Sequence, residues 1–235
     1  MLCSVCGAKN SKFDVKCHSC LAFLQNPVRV LNLFEVLTLI FTNPRVAFHK
    51  IIISERKNYA VFLSVLFGIS LTLDIFYLLR SGEKFNNLIF LLFYAFLFGF
   101  AIGVSFIFLI ALILKLVLNL GGEKLKFKSV FALLSYITLP MSFSLIFLLP
   151  ARLAVFGIYY FTETPKPYDL KPVPFYIFLF SDFILKFYSL ALMFTAIGYI
   201  TENLPKAVLF TIFTSICVVV LLNLLTEAVK FALFY

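Results

Sequence analysis

Charge is scarce in this chain. Only 13% of its 235 residues are Asp, Glu, Lys or Arg, whereas an ordinary soluble domain carries about 25%. Acid is scarcer than base, 11 residues against 20, for a net charge of +9. Histidine occurs twice, as His18 and His49, both ahead of the first long apolar run. There is no H-E-x-x-H, no G-x-S-x-G, no Walker loop and no grouping of His with carboxylates inside an apolar run. Zincin, serine-hydrolase and P-loop chemistry therefore find no residues to act through, and the expectation is a protein that is not an enzyme. No apolar span occupies the extreme N-terminus, where a charged start and a short apolar core would mark a signal peptide. The polar head is expected to stay on the chain.

Hydrocarbon fills the space left by charge. Hydrophobic residues make up 63% of the chain, including 32 Phe, and the mean hydropathy is +1.05. A run of about 18 or more apolar residues can cross a hydrocarbon core of about 30 Å as a helix. Five such runs are present: Tyr59 to Leu79, Leu88 to Leu118, Ser129 to Leu149, Phe175 to Ile200 and Ala207 to Leu225. The expected fold is an all-α integral membrane protein, a bundle of five transmembrane helices. About eight of the Lys and Arg residues precede the first run and about four lie from Lys115 to Lys128, so the positive-inside rule places the N-terminus in the cytosol. Five crossings put the C-terminus on the opposite side. The basic face suits membrane lipids with anionic headgroups, and no basic groove with interleaved aromatics calls for nucleic acid.

The chain opens with "CSVCGAKNSKFDVKCHSC", in which Cys3, Cys6, Cys17 and Cys20 form two C-x-x-C pairs. One tight knuckle lets two thiolates reach the same ion, and two knuckles complete a tetrahedral shell. A reducing cytosol favours metal over disulfides, so a structural zinc ribbon is expected, with rubredoxin-like iron and a redox dithiol pair as alternatives. Gly7 follows the first knuckle, where a permissive backbone turns amides toward sulfur; the second knuckle, "CHSCL", lacks that glycine. His18 could substitute as a ligand, but with four Cys at hand it reads as a solvated neighbour. A shell filled by protein leaves no place for substrate or water, so the head is structural or a binding module. Cys217, amid "SICVVVLL", reads as a small apolar residue.

Between head and first run, Arg29, Asn32, Glu35 and Thr38 recur every third residue as a polar stripe on an otherwise apolar helix. Such a helix lies in the interface or packs on the bundle. Asn43 before Pro44 reads as an N-cap with proline at the first helical position, opening a second helix that carries Val46, Phe48, Ile51 and Ile52 toward lipid and ends at Arg56 and Lys57. The division expected is residues 1–25 for the ribbon, 26–58 for amphipathic interfacial helices, 59–227 for the five-span domain and 228–235 for a short tail. Within the spans, Gly99 and Gly103 form a G-x-x-x-G pair that permits close helix approach, and Pro140 predicts a kink, with Pro150 ending that span. Asp74 is placed where it reaches the interface, and Glu202 and Glu227 at solvated span ends. Asp182 and Lys186, four apart, share a helix face and can pair.

Three stretches, "FTNPRVAFHKII", "NLGGEKLKFKSVFALLSYITLP" and "YSLALMFTAIGYITENLPKAVLFTIF", carry a resemblance over about residues 33 to 225. Through Asn43, Pro44, Gly121, Gly122, Tyr136, Pro140, Gly198, Lys206 and Ala207 the chain resembles the Yip-domain (Ypt-interacting protein) family of five-span membrane proteins, prokaryotic type. The resemblance implies five spans behind a cytosolic N-terminus, and a ribbon fused to them implies a prokaryotic cytoplasmic membrane. Eukaryotic members act in vesicle trafficking and bind Rab-type GTPases. Their Asp-Leu-Tyr-Gly-Pro signature is missing ahead of the first span here, so the resemblance implies fold and topology more than activity. The expected function is a scaffold or membrane-organising protein whose ribbon or interfacial helix meets a cytosolic protein partner, with oligomerisation open. The alternative is a small transporter or channel using Asp182 and Lys186.

Overall fold

In hydrocarbon no water pairs an exposed N–H or C=O, so an apolar chain satisfies its backbone by coiling into helices. The computed structural model describes residues 1–85 and 87–234, and the spanning part is helical throughout. α1 (Leu33–Thr42) and α2 (Pro44–Ile53) form a hairpin ahead of the spans. α3 (Ala60–Leu78) and α4 (Leu88–Leu120) follow. α5 (Phe127–Ile137), α6 (Leu139–Phe143), a π-type turn over Ser144–Leu148, α7 (Leu149–Phe156) and a 3-10 stretch (Gly157–Phe161) run one after another. A short α8 (Pro167–Leu170) leads into α9 (Pro172–Thr201) and α10 (Leu204–Phe234). Five helical segments are long and apolar enough to cross a membrane: Ala60–Leu78, Leu88–Leu120, Leu139–Phe161, Pro172–Thr201 and Leu204–Ala232.

The hairpin turns on one residue. Asn43 closes α1 by donating its amide to the Leu39 carbonyl at 2.7 Å, and its side chain caps α2 by accepting from the Val46 amide. Upstream the polar stripe is shorter than expected. α1 starts at Leu33 because the Asn32 side chain accepts from the amides of Phe34 and Glu35, a capping role that ends the helix there and leaves Arg29 outside it. Of the four α2 residues expected to face lipid, Val46 is exposed, but Phe48, Ile51 and Ile52 are buried in the core with Leu133, Ala196 and Ile197. Lys57 reaches back to donate to the carbonyls of Ile51 and Ile52, closing the C-terminus of α2 with a cation where the helix dipole favours one.

The third span is displaced from its expected place. Residues 127–137 form a separate helix, α5, with eight buried positions including Ser129, Ser135 and Tyr136. The chain bends at Thr138, and Pro140 enters the first turn of α6, where its missing N–H costs nothing. Pro150 does not end the span either, because it too sits in a first turn, that of α7. The crossing thus runs on through Ala151 to Phe161 and takes Arg152 into the membrane.

α3 and α4 meet backbone to backbone. A Cβ placed on Gly68 would fall 2.2 Å from the Gly99 carbonyl oxygen and 2.3 Å from the Gly103 Cα, and one on Gly103 would fall 2.1 Å from the Ser64 carbonyl oxygen. Small residues at such a seam permit the close packing that holds helices together in lipid. The expected G-x-x-x-G pair is therefore occupied within this chain, against Gly68 of the preceding span. Gly68→Ala should destabilise the protein by about 1–3 kcal/mol through overpacking, read as a lower thermal midpoint in detergent. Gly198→Ala is the control, since its Cβ would meet only the Ala207 Cβ at 3.7 Å; it should leave the midpoint unchanged or raise it.

Candidate metal centre and its seat on the bundle

The head is built from one small motif used twice. Cys3 donates its amide to Ala8 and accepts from the Gly7 amide, at 2.9 and 3.0 Å; Cys17 does the same with Ala22 and Leu21, at 2.9 and 3.1 Å. Bridges Leu2 to Lys9 and Lys16 to Phe23 close the two knuckles. Both need a left-handed residue after the second thiol. Gly7 supplies it with φ of +70°, and Leu21 adopts the same conformation at +61° although a Cβ makes it costly.

The fold brings the four expected cysteines together. Their sulfur atoms all lie within 4.8 Å of one another, close enough to hold a metal ion. Cys3 approaches Cys20 at 3.6 Å and Cys6 approaches Cys17 at 3.6 Å, against about 3.8 Å for the edge of a tetrahedron with metal–sulfur bonds of about 2.3 Å. Amides and thiols set the acidity of the group. The Cys20 amide, with those of Ser19 and the Asn10 side chain, holds the Cys17 thiol down to about 6 against the opposing effect of burial. The amides of Cys6 and Val5 hold Cys3 below its ordinary value. Cys20 has the Ala22 amide, but the thiols of Cys6, Cys3 and Cys17 push it up to about 12. His18 points elsewhere: its Nδ1 and its amide both meet the Asn10 Oδ1, at 2.8 and 3.0 Å. Asn10 in turn donates to the Cys17 sulfur, so it orients the site from behind.

The head does not float. Lys12 donates to the carbonyl of Tyr199 at 2.5 Å and pairs with Glu202 at 2.7 Å, capping the C-terminus of α9. This contact holds the Glu202 carboxyl below its ordinary range, through the hydrogen bond first and then the charge of Lys12. His49 links head to bundle: its Nε2 meets the Gln25 Oε1 at 2.9 Å and its Nδ1 meets the Tyr199 hydroxyl at 2.9 Å. Phe13 packs against both rings, with centroids 6.3 Å from His49 and 6.0 Å from Tyr199. The pairing suits a neutral imidazole, Nε2–H donating and Nδ1 accepting, and burial followed by the charge of Lys12 pushes the His49 pKa below 6.5.

A second polar group sits within the spans. Lys186 bridges Asp74 of α3 and Asp182 of its own helix, both at 2.7 Å. Arg152 of α7 pairs with Asp182 at 3.3 Å and donates to the Phe178 carbonyl. The π-type turn presents the Ser144 hydroxyl to Asp182 at 2.5 Å. Asp182 and Lys186 therefore do pair, while Asp74 turns inward to Lys186 rather than to the interface. Two acids and two bases cancel. They border a cavity of about 170 Å³ with Tyr77, Tyr160 and Phe175. Arg152 escaped the sequence because Pro150 reads as a stop; the apolar run "LAVFGIYYF" behind it is the signal that the span continues. Lys12, Gln25, Tyr199 and the docked role of Glu202 left no local signal.

The Yip1 domain family matches residues 38–226, from within α1 into α10, with the cysteine head outside the match. No curated protein and no solved structure gives a match.

Three outcomes test this geometry. Leu21 is exposed, so Leu21→Gly removes no packing and relieves the left-handed backbone by about 1–2 kcal/mol, offset in part by the entropy of glycine; metal should resist chelator at least as well as in the parent. Lys186→Met strands Asp74, while Asp182 keeps Arg152 and Ser144; it should cost about 3–5 kcal/mol, with much of that recovered when Asp74→Leu is added, as read by thermal unfolding in detergent. Because the His49 pKa is depressed when the head is seated, seating is complete above pH 6.5 and weakens as the pH falls below it. Protection of the amides across residues 10–25, taken relative to the unfolded-chain exchange rate at each pH, should fall between pH 7.5 and about pH 6 at constant metal content, and His49→Gln should abolish the difference.

Proposed function

The chain belongs to the Yip1 domain family, and from that membership we propose that it is a non-catalytic membrane scaffold that holds a zinc ribbon against the cytosolic end of its five spans. In this reading Cys3, Cys6, Cys17 and Cys20 bind a structural zinc, the membrane is the cytoplasmic membrane of a prokaryote, and the C-terminus lies on the opposite side. Residues 1–25 carry the metal, 26–58 lie at the interface and 59–227 form the five-span domain. The observation that carries the reading is the closed set of four thiols clamped to α9 through Lys12. A shell complete in protein leaves no coordination position for a substrate, so the metal would supply folding energy to a head too small for a core of its own.

Two further features support a scaffold. The head turns Leu2, Val5, Leu21 and Phe23 outward, apolar tips that suit a protein partner. The intramembrane charges, by contrast, satisfy one another, whereas a transport path needs groups free to exchange partners with an ion or proton.

Elemental analysis of purified protein should give one zinc per chain, and Cys6→Ser with Cys20→Ser should lose it while the helical circular dichroism of the spans persists. Crosslinking in native membranes should give products that disappear when residues 1–25 are deleted. A metal-free folded head whose thiols cycle to disulfides, or ion flux through the protein in vesicles that Lys186→Met abolishes, would falsify the reading.

A further inference from the structure

One cavity on the head-side surface is lined with lysine. It has a volume of about 550 Å³ and three walls: residues 11–16 of the head, the end of α2 with the residues after it, and the link from α4 into α5. Five lysines border it, Lys16, Lys57, Lys124, Lys126 and Lys128, against two carboxylates, Asp14 and Glu55. Asp14 already accepts from the Ser11 amide at 2.8 Å. Lys16, Lys124, Lys126 and Lys128 are exposed and form no ion pair among the described residues.

Two details distinguish this cavity from a solvated basic surface. α5, a helix of eleven residues, begins here with Lys126, Lys128 and Ser129 on the wall, and its N-cap residue Lys126 supplies no side-chain cap. That terminus carries partial positive charge that favours an anion. The half-buried Lys57 is held at the wall by the Ile52 carbonyl at 2.8 Å and the Ser54 hydroxyl at 3.2 Å. Burial first, and then the charges of Lys128 and Lys126, bring its pKa down to about 8. Lysines around a helix N-terminus match a compact anion with several acceptor oxygens.

We propose that this cavity binds a phosphate monoester. Lys57 lies three residues ahead of α3 and Lys126 six residues beyond α4, so the cavity sits where apolar spans give way to lipid headgroups. The group is carried either by a lipid, as in phosphatidic acid, or by a soluble phosphate such as glycerol 3-phosphate. The head supplies Lys16, so an occupied site joins head and spans.

Native mass spectrometry of full-length, zinc-loaded protein in detergent tests this against phosphatidic acid, phosphatidylserine and glycerol 3-phosphate. Phosphatidic acid should be retained about tenfold better than phosphatidylserine, whose phosphate is a diester. The variant Lys124→Gln, Lys126→Gln, Lys128→Gln alters exposed side chains only, so it should keep its zinc and its thermal midpoint while losing the preference. Binding of glycerol 3-phosphate as tight as that of phosphatidic acid, and lost in the same variant, assigns the monoester to a soluble source. Weaker binding of glycerol 3-phosphate assigns it to lipid. Equal retention of the two lipids without glycerol 3-phosphate binding, or a triple variant that binds as the parent does, overturns the proposal.

Discussion

Between helices in lipid there is no hydrophobic drive to associate, because the tails outside are as apolar as the side chains inside. The contact on which this bundle depends is the seam of Gly68, Gly99 and Gly103. With no side chain between them, α3 and α4 approach until carbonyl oxygens and α-carbons touch, gaining dispersion contacts along their length. The seam fixes α3 and α4 as one unit. α5 then packs on both, and α10 lies along α4. The seam also spends the motif internally, so these glycines are not available for pairing with a second copy.

Around that unit polar contacts do the positioning. α9 is held to α3 and α7 by Lys186, Asp74, Asp182 and Arg152, to α1 by the Tyr188 hydroxyl on the Ile40 carbonyl, and to the head by Lys12. In a low dielectric each charge is expensive alone and tolerable only with its partner. The network therefore specifies which face of α9 turns inward, a role that apolar packing with lipid-like side chains performs weakly.

Local features were legible in the sequence. The paired C-x-x-C spacing marked the four sulfurs that converge, the count of apolar runs marked five crossings, and Asn43 before Pro44 marked the hairpin. Asp182 and Lys186 were readable because helical spacing alone makes them neighbours. What stayed hidden depends on distance along the chain or on context. Lys12 and Tyr199 are 187 positions apart. Gly68 is a lone glycine that gains meaning only opposite two others. Pro140 read as a kink, and the chain does break at Thr138 just ahead of it; Pro150 read as a stop, yet it sits in a first helical turn, and this ambiguity moved the third span and concealed Arg152. The Leu21 backbone was illegible for a related reason: the C-x-x-C knuckle imposes a conformation that the residue itself disfavours.

The cap that Lys12 places on α9 has a mechanical consequence. A helix of 30 residues is a stiff rod of about 45 Å, gripped at one end by the head and pinned near its middle at Lys186. Such a rod is a lever about that pin. A rotation of about 5° at the grip shifts each end by about 2 Å in opposite directions, enough to alter side-chain contacts at Pro172 on the far surface. The cysteine head is thus tied to the far end of the bundle through a single element.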